Sequence, residues 1–261
     1  HSNFPGEVPA NASRISRTIT IDGNQSGLPS NFGYAGARSH IRVTTGLYAA
    51  AGDVVSVSLP QQVVDSGAYV LVGAHSDSLW GKDQLHRHPE IVRWWYVDDT
   101  QMEVGNAFGG PIYVAIEPGS TLGTFEVTIS NAVEAPYYNH GETDLGDWIQ
   151  IHRHAPAPWA EIGSDQFILS VPSHEIRGLQ GPDELMDWWD QALGMEHDLY
   201  GFLPWPRVER AVFDAQISAG WMHSGYPFMA HDLSVAAVVN LTHMSTCLLY
   251  TSPSPRDQRG S

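Results

Sequence analysis

The chain has 261 residues, 42% of them hydrophobic and 16% charged, a balance that suits one large or two ordinary folded domains and excludes a disordered chain. Its net charge is −16, from 29 acidic and 13 basic residues, and it has no run of Lys or Arg, which argues against a nucleic-acid partner. No apolar stretch approaches the roughly 20 residues that span a bilayer, so no transmembrane segment is expected, and a single cysteine, Cys247, excludes a disulfide framework or a multi-cysteine zinc site.

In chain order, residues 1–44 read as a lead-in whose true start lies upstream, since the sequence opens on His1. Strands follow. Val55, Val57 and Leu59 alternate with Ser56 and Ser58, and Phe125, Val127 and Ile129 alternate with polar neighbours. That period of two marks strands with one buried and one wet face. Between them YVLVGAHS (69–76), IVRWWYVD (91–98) and PIYVAIE (111–117) read as further strands, and Gly and Pro punctuate the gaps. Short strands at this spacing predict an antiparallel β-sandwich.

The pattern changes after about residue 135. Residues 182–201 predict a helix. Pro182 opens it, Asp183 and Glu184 favour its positive end, Gly201 stops it, and Leu185, Trp188, Trp189, Ala192 and Leu193 form its apolar stripe. A second helix is expected from Ser234 to about His243, burying Leu233, Ala236, Ala237, Val238 and Leu241. Residues 247–261, CLLYTSPSPRDQRGS, resemble the in-frame translation of a sequencing adapter and are expected to lie outside the fold, with the natural chain continuing past about Ser245.

Nine Trp and ten Tyr suit either a sugar- or peptide-binding surface or a large aromatic core. His86 with His88, and His152 with His154, would each share a face on a strand and reach one metal; ordinary solvated histidines fit the same spacing. The zinc-peptidase signature His-Glu-x-x-His places two imidazoles and a general base on one helix face, and this sequence lacks it. His174-Glu175 continues as Ile176-Arg177-Gly178, and Glu196-His197 runs in the reverse order.

Several phrases together resemble the enhancin-like and mucin-degrading metallopeptidases, metallopeptidase family sixty. They are TGLYAAAGDVVSVSLP (45–60), RHP (87–89), NAFGGPIYV (106–114), APAPWAEI (155–162), VPSHEIRGL (171–179) and FDAQISAGWMHSGYPFMAH (213–231). The resemblance implies a fold that is mostly β with an α/β second half. An antiparallel sandwich would span 45–133, and the first, incomplete part of a gluzincin-type catalytic domain would span 134–246. It further implies a secreted or cell-surface zinc endopeptidase acting on glycosylated proteins such as mucins. The zinc ligands would lie beyond this sequence, so zinc is expected in the full-length protein but not here, and this chain alone is expected to be inactive. In the zincin pattern an edge strand pairs with substrate backbone. Ser218, Ala219 and Gly220, being small, would admit that backbone, and His223 and Tyr226 would donate to a carbonyl; packing of a strand end is the other reading of these residues. Trp159 reads as core in preference to a subsite. A non-catalytic glycan-binding sandwich is the alternative function.

Overall fold

The computed structural model describes residues 3–27, 36, 38–201 and 206–241. The stretch read as an adapter lies outside them. Nine strands come first: β1 (Ile15–Asn24), β2 (Ile41–Ala49), β3 (Val54–Ser58), β4 (Tyr69–Val72), β5 (Arg93–Tyr96), β6 (Gln101–Gly105), β7 (Gly110–Ile116), β8 (Thr121–Glu134) and β9 (Tyr137–Asn139). Then come α1 (Leu145–Gln150), β10 (Trp159–Gly163), β11 (Phe167–Pro172), α2 (Ser173–Ile176), α3 (Pro182–Tyr200), β12 (Glu209–Asp214), β13 (Met222–His223), β14 (Phe228–His231) and α4 (Val235–Val238).

The first eight strands form an antiparallel sandwich. One layer pairs β1, β8, β3 and β6, the other β2, β7, β4 and β5. The 14-residue β8 belongs to both, since Val133 and Glu134 turn to pair with Tyr48 and Leu47 of β2. The turn comes at Asn131, whose φ of +63° is one that Asn tolerates better than most side chains, and whose amide donates to the Val54 carbonyl at 2.7 Å. Val55, Val57, Val127 and Ile129 of one layer meet Val70, Val72, Ile112 and Val114 of the other in the core. β1 pairs with β8 along its length, so the stretch read as a lead-in contributes a full strand.

Both faces of β7 are buried, which is why Pro111–Ile116 reads as an unbroken apolar run. Its outer residues Tyr113 and Ala115, with Leu71 of β4, pack against Val212, Ile217 and Met229 of the second half. The glycine pair opening β7 has a steric cause. A Cβ on Gly110, where φ is +150°, would sit 2.5 Å from Gly73 Cα, so two backbones cross where no side chain fits. The same crossing ends β4 at Val72, four residues short of the strand expected through Ser76.

The second half is a six-stranded mixed sheet in the order β13-β14-β12-β11-β10-β9. β9 lies parallel to β10, and β11, β12 and β14 lie parallel to one another. β13 runs antiparallel to β14 and forms one edge. Helix α3 ends on Gly201 in the left-handed conformation (φ +68°), and it buries Leu185 and Met186 against the sheet. The helix expected from Ser234 is a 3-10 turn (Asp232–Ser234) and the single turn α4. The turn rotates the chain so that Val235 and Val239 are buried, while Leu233 and Ala236 are exposed. His243 lies outside the described residues. Among the described residues no helix is long and apolar enough to cross a membrane.

Candidate functional site: the sheet edge clasped by the sandwich

β12 is the strand that fixes one half of the molecule on the other. Ala211 and Phe213 face the helices, while Arg210, Val212 and Asp214 alternate onto the sandwich side. Arg210 is fully buried; it bonds Glu161 of β10 and donates to the Arg42 carbonyl (3.0 Å) and Thr44 Oγ1 (2.9 Å) of β2. Glu161 also accepts from Tyr113 (2.7 Å), Thr44 (2.5 Å) and Ser170. Burial disfavours the Arg210 charge, but Glu161, Tyr113 and Tyr226 together outweigh it and the guanidinium pKa is raised. At the other end of β12, Arg87 grips Asp214 through two nitrogens, Nε to Oδ1 at 2.8 Å and NH2 to Oδ2 at 2.7 Å, with both side chains buried. Arg87 belongs to the connection between β4 and β5, which reaches over the loop between β12 and β13; the Gln216 side chain bonds His86 N and the Gln84 carbonyl.

The same connection holds the edge strand. Asp77 Oδ2 lies 2.8 Å from His223 Nε2 and accepts the Ser218 amide at 2.6 Å. Ser218 Oγ is 3.1 Å from the same Nε2, and His223 Nδ1 is 3.1 Å from the Ser224 carbonyl. With an acceptor at each nitrogen, the ring satisfies both only as a double donor, the imidazolium. Burial opposes that charge, but the Asp77 hydrogen bond, the Ser224 carbonyl and the Asp77 charge together raise the His223 pKa. Ser218, His223 and Asp77 do not form a nucleophilic triad. Serine and carboxylate share one ring nitrogen, whereas a triad needs them on opposite nitrogens.

Of the residues expected to meet substrate, Ala219 and Gly220 are exposed on the approach to β13, and Gly220 has a φ of +59° that favours glycine. His223 is partly exposed on β13. Tyr226 is not beside it. It is 8% exposed, its hydroxyl accepts the Arg42 amide at 3.1 Å, and the Arg207 guanidinium lies 4.3 Å from its ring centre. Its hydroxyl is buried in the junction between the halves, away from the β13 edge, which corrects the expectation that it donates to substrate. Trp159 is core as expected, 2% exposed with Nε1 on the Pro5 carbonyl at 2.7 Å. Asp77 was not singled out by any sequence pattern.

No zinc site is formed by these residues. Among the described residues no three His, Cys, Asp or Glu side chains converge to hold a metal ion. His152 and His154 lie on a 3-10 turn and not on a strand, and His88 Nδ1 is 2.8 Å from the Glu90 carbonyl.

Residues 10–130 match the family model for the N-terminal domain of M60-like peptidases, and residues 131–247 match peptidase M60, enhancin and enhancin-like. Similar curated proteins include TRPM8 channel-associated factor 2 of Homo sapiens (40% identical over 199 residues, 76% of this chain and 22% of the relative). Another is the TRPM8 channel-associated factor homolog of Xenopus laevis (38% over 230 residues, 88% and 24%). The chain therefore spans about a quarter of these relatives' length. Among solved structures, the IMPa metallopeptidase of Pseudomonas aeruginosa shares the fold with a TM-score of 0.59 at 18% identity, over 88% of this chain and 30% of that one. The M60 catalytic domain of Clostridium perfringens ZmpC, solved with the sialyl T antigen, does so with a TM-score of 0.64 at 13% identity, over 85% and 49%. With both halves matched in sequence order, and with the sandwich and mixed sheet in place, the chain belongs to the enhancin and enhancin-like peptidase M60 family.

Proposed function

We propose that this chain is the substrate-orienting part of a zinc-dependent endopeptidase that acts on glycosylated proteins such as mucins, at the cell surface or after secretion. The observation that carries the reading is the edge position of β13, with His223 fixed by Asp77. An extended peptide added to that edge would gain main-chain hydrogen bonds, and His223 would stand beside it as a fixed positive charge. The zinc ligands and general base would come from sequence beyond these 261 residues. Solved structures of the same fold carry the sialyl T antigen or an O-glycopeptide, which supports a glycosylated substrate.

The test uses a longer protein that includes the downstream sequence. Mucin-type glycoprotein should be cleaved and a chelator should stop it. His223→Ala should lower turnover with zinc content unchanged, and unchanged turnover would sink the edge-strand role. The matches to channel-associated factors at 36–40% identity support a second reading, in which the same edge associates with another polypeptide and cleaves nothing. Peptide binding without mucin cleavage by the longer protein would favour it.

A further inference from the structure

The register of β13 on β14 fixes which of its main-chain groups stay open. Met222 stands opposite Ala230 and His223 opposite Met229, and the His231 amide donates to the Trp221 carbonyl at 3.0 Å. Bonded and non-bonded positions alternate along an antiparallel pair, so the main-chain groups of Trp221 and His223 turn inward to β14, while the N–H and C=O of Met222 turn out to the sheet edge. Side chains alternate too. His223 lies on the sandwich side, where Asp77 holds it, so Trp221 lies there as well, and so does His231, two residues beyond Met229.

The Trp221 and His231 rings are stacked, 13° apart in plane and 4.8 Å between centres, close to the spacing of neighbouring strands. The indole therefore stands upright on the sheet, one face against His231 and the other turned to the open edge. It is 54% exposed, and the residues that lead to it, Ala219 and Gly220, are exposed and small. Asp232 is engaged by the His231 ring, Oδ1 to Nδ1 at 3.0 Å, so what Trp221 presents to the edge is an apolar plane. A peptide laid antiparallel on β13 would exchange both hydrogen bonds with Met222 through one residue. The next residue of the peptide would face Trp221, with its own N–H pointing away from the edge and its side chain close to the indole. Proline loses no hydrogen bond at such a position, and its fixed φ keeps both itself and the residue before it extended. Its ring of C–H groups matches an open aromatic face, the contact by which proline-rich segments are recognised in aromatic-lined grooves.

We propose that Trp221 is a specificity-determining residue that selects proline in the bound polypeptide, at the position immediately after the residue that bonds Met222. The inference deepens the edge-strand reading above and rests on it for the peptide's register.

The experiment titrates this chain with short unglycosylated peptides of one Ala/Ser/Thr sequence that carry proline, alanine or phenylalanine at a single central position. Binding is followed by NMR at the Trp221 indole and at the Met222 and His223 amides. The proline peptide should bind saturably and at least about tenfold more tightly than the other two. N-methylation of the residue before proline, which removes the donor to the Met222 carbonyl, should abolish that binding. Trp221→Ala should bring the proline peptide down to the level of the alanine peptide with no change in melting temperature, and Trp221→Phe should keep part of the preference. Equal binding of the proline and alanine peptides, tighter binding of the phenylalanine peptide, or a preference for proline that survives Trp221→Ala would overturn the proposal. Shifts at Met222 and His223 without a preference for proline remove only this inference. A proline preference read at Trp221 with the Met222 amide unmoved removes the edge-strand reading and leaves proline selection standing, and no binding by any peptide removes both.

Discussion

Asp77 and His223 meet at 2.8 Å although 146 residues separate them, so a carboxylate from the sandwich sets the state of the ring on the sheet edge. The pKa of His223 is raised in the folded chain by that contact and the Ser224 carbonyl, against the cost of partial burial. A raised basic pKa contributes stability that is fully present below the unfolded value, about 6.5, and is lost as pH rises through the folded value. The melting temperature of His223→Gln should therefore fall furthest below that of the native chain at pH 6, and the gap should narrow by pH 9. A gap that widens with pH would refute the charged clasp.

The Arg87–Asp214 pair fastens the same connection at the end of β12. Removing one partner leaves a buried charge with no counterion, which costs about 3–5 kcal/mol. Asp214→Ala and Arg87→Ala should each lower the unfolding free energy by that amount, measured by chemical denaturation. Arg87→Met with Asp214→Leu should recover part of it, and only part, because Asp214 Oδ1 also accepts the Gln216 amide at 3.1 Å and Arg87 donates to the His88 carbonyl at 2.8 Å.

The sequence makes some of this architecture legible and hides the rest for a physical reason. Val55, Val57 and Phe125, Val127, Ile129 announce their strands because one face of each is wet and the alternation survives. β12 is buried on both faces, so Arg210 and Asp214 stand among apolar residues with nothing nearby to show what they pair with. His223 and Arg87 lie in phrases that the family resemblance picks out. Their partners Asp77 and Asp214 are 146 and 127 residues distant, and no local pattern encodes such a pairing. Tyr226 misleads for the same cause. Three residues beyond His223 it looks like a neighbour on the edge, but it has already left β13 and sits under Arg42 and Arg207.

The crossing of Gly73 and Gly110 makes a steric prediction. A methyl group on Gly110 would lie 2.5 Å from Gly73 Cα and 2.7 Å from Gly73 N, against backbone that cannot rotate away. Gly110→Ala should destabilise the fold by about 1–3 kcal/mol, the range for forced overpacking. At Gly52 a Cβ would meet no atom within 4 Å, although φ is +78° there. Gly52→Ala should therefore cost less, its penalty being backbone strain alone. Chemical denaturation of the two variants compares them directly.

His75 should make the junction sensitive to acid. Its ring is 1% exposed, edge-on to Trp159 at 4.2 Å and to Phe4 at 4.8 Å. Burial pushes its pKa down to about 4, and the nearby Asp214 charge and a backbone hydrogen bond with Phe213 only partly offset that. The sign is opposite to that of His223. The unfolded chain takes up a proton below about 6.5 while the folded chain resists until about 4, so stability falls as pH drops across that window. Replacing the imidazole with an apolar side chain of similar size removes the titration. His75→Leu should lose less stability than the native chain between pH 6.5 and 4.5, even if its stability at pH 8 is lower through poorer packing against Trp159. Parallel acid limbs for the two proteins, measured by denaturant midpoint at each pH, would show that the acid loss comes from other groups.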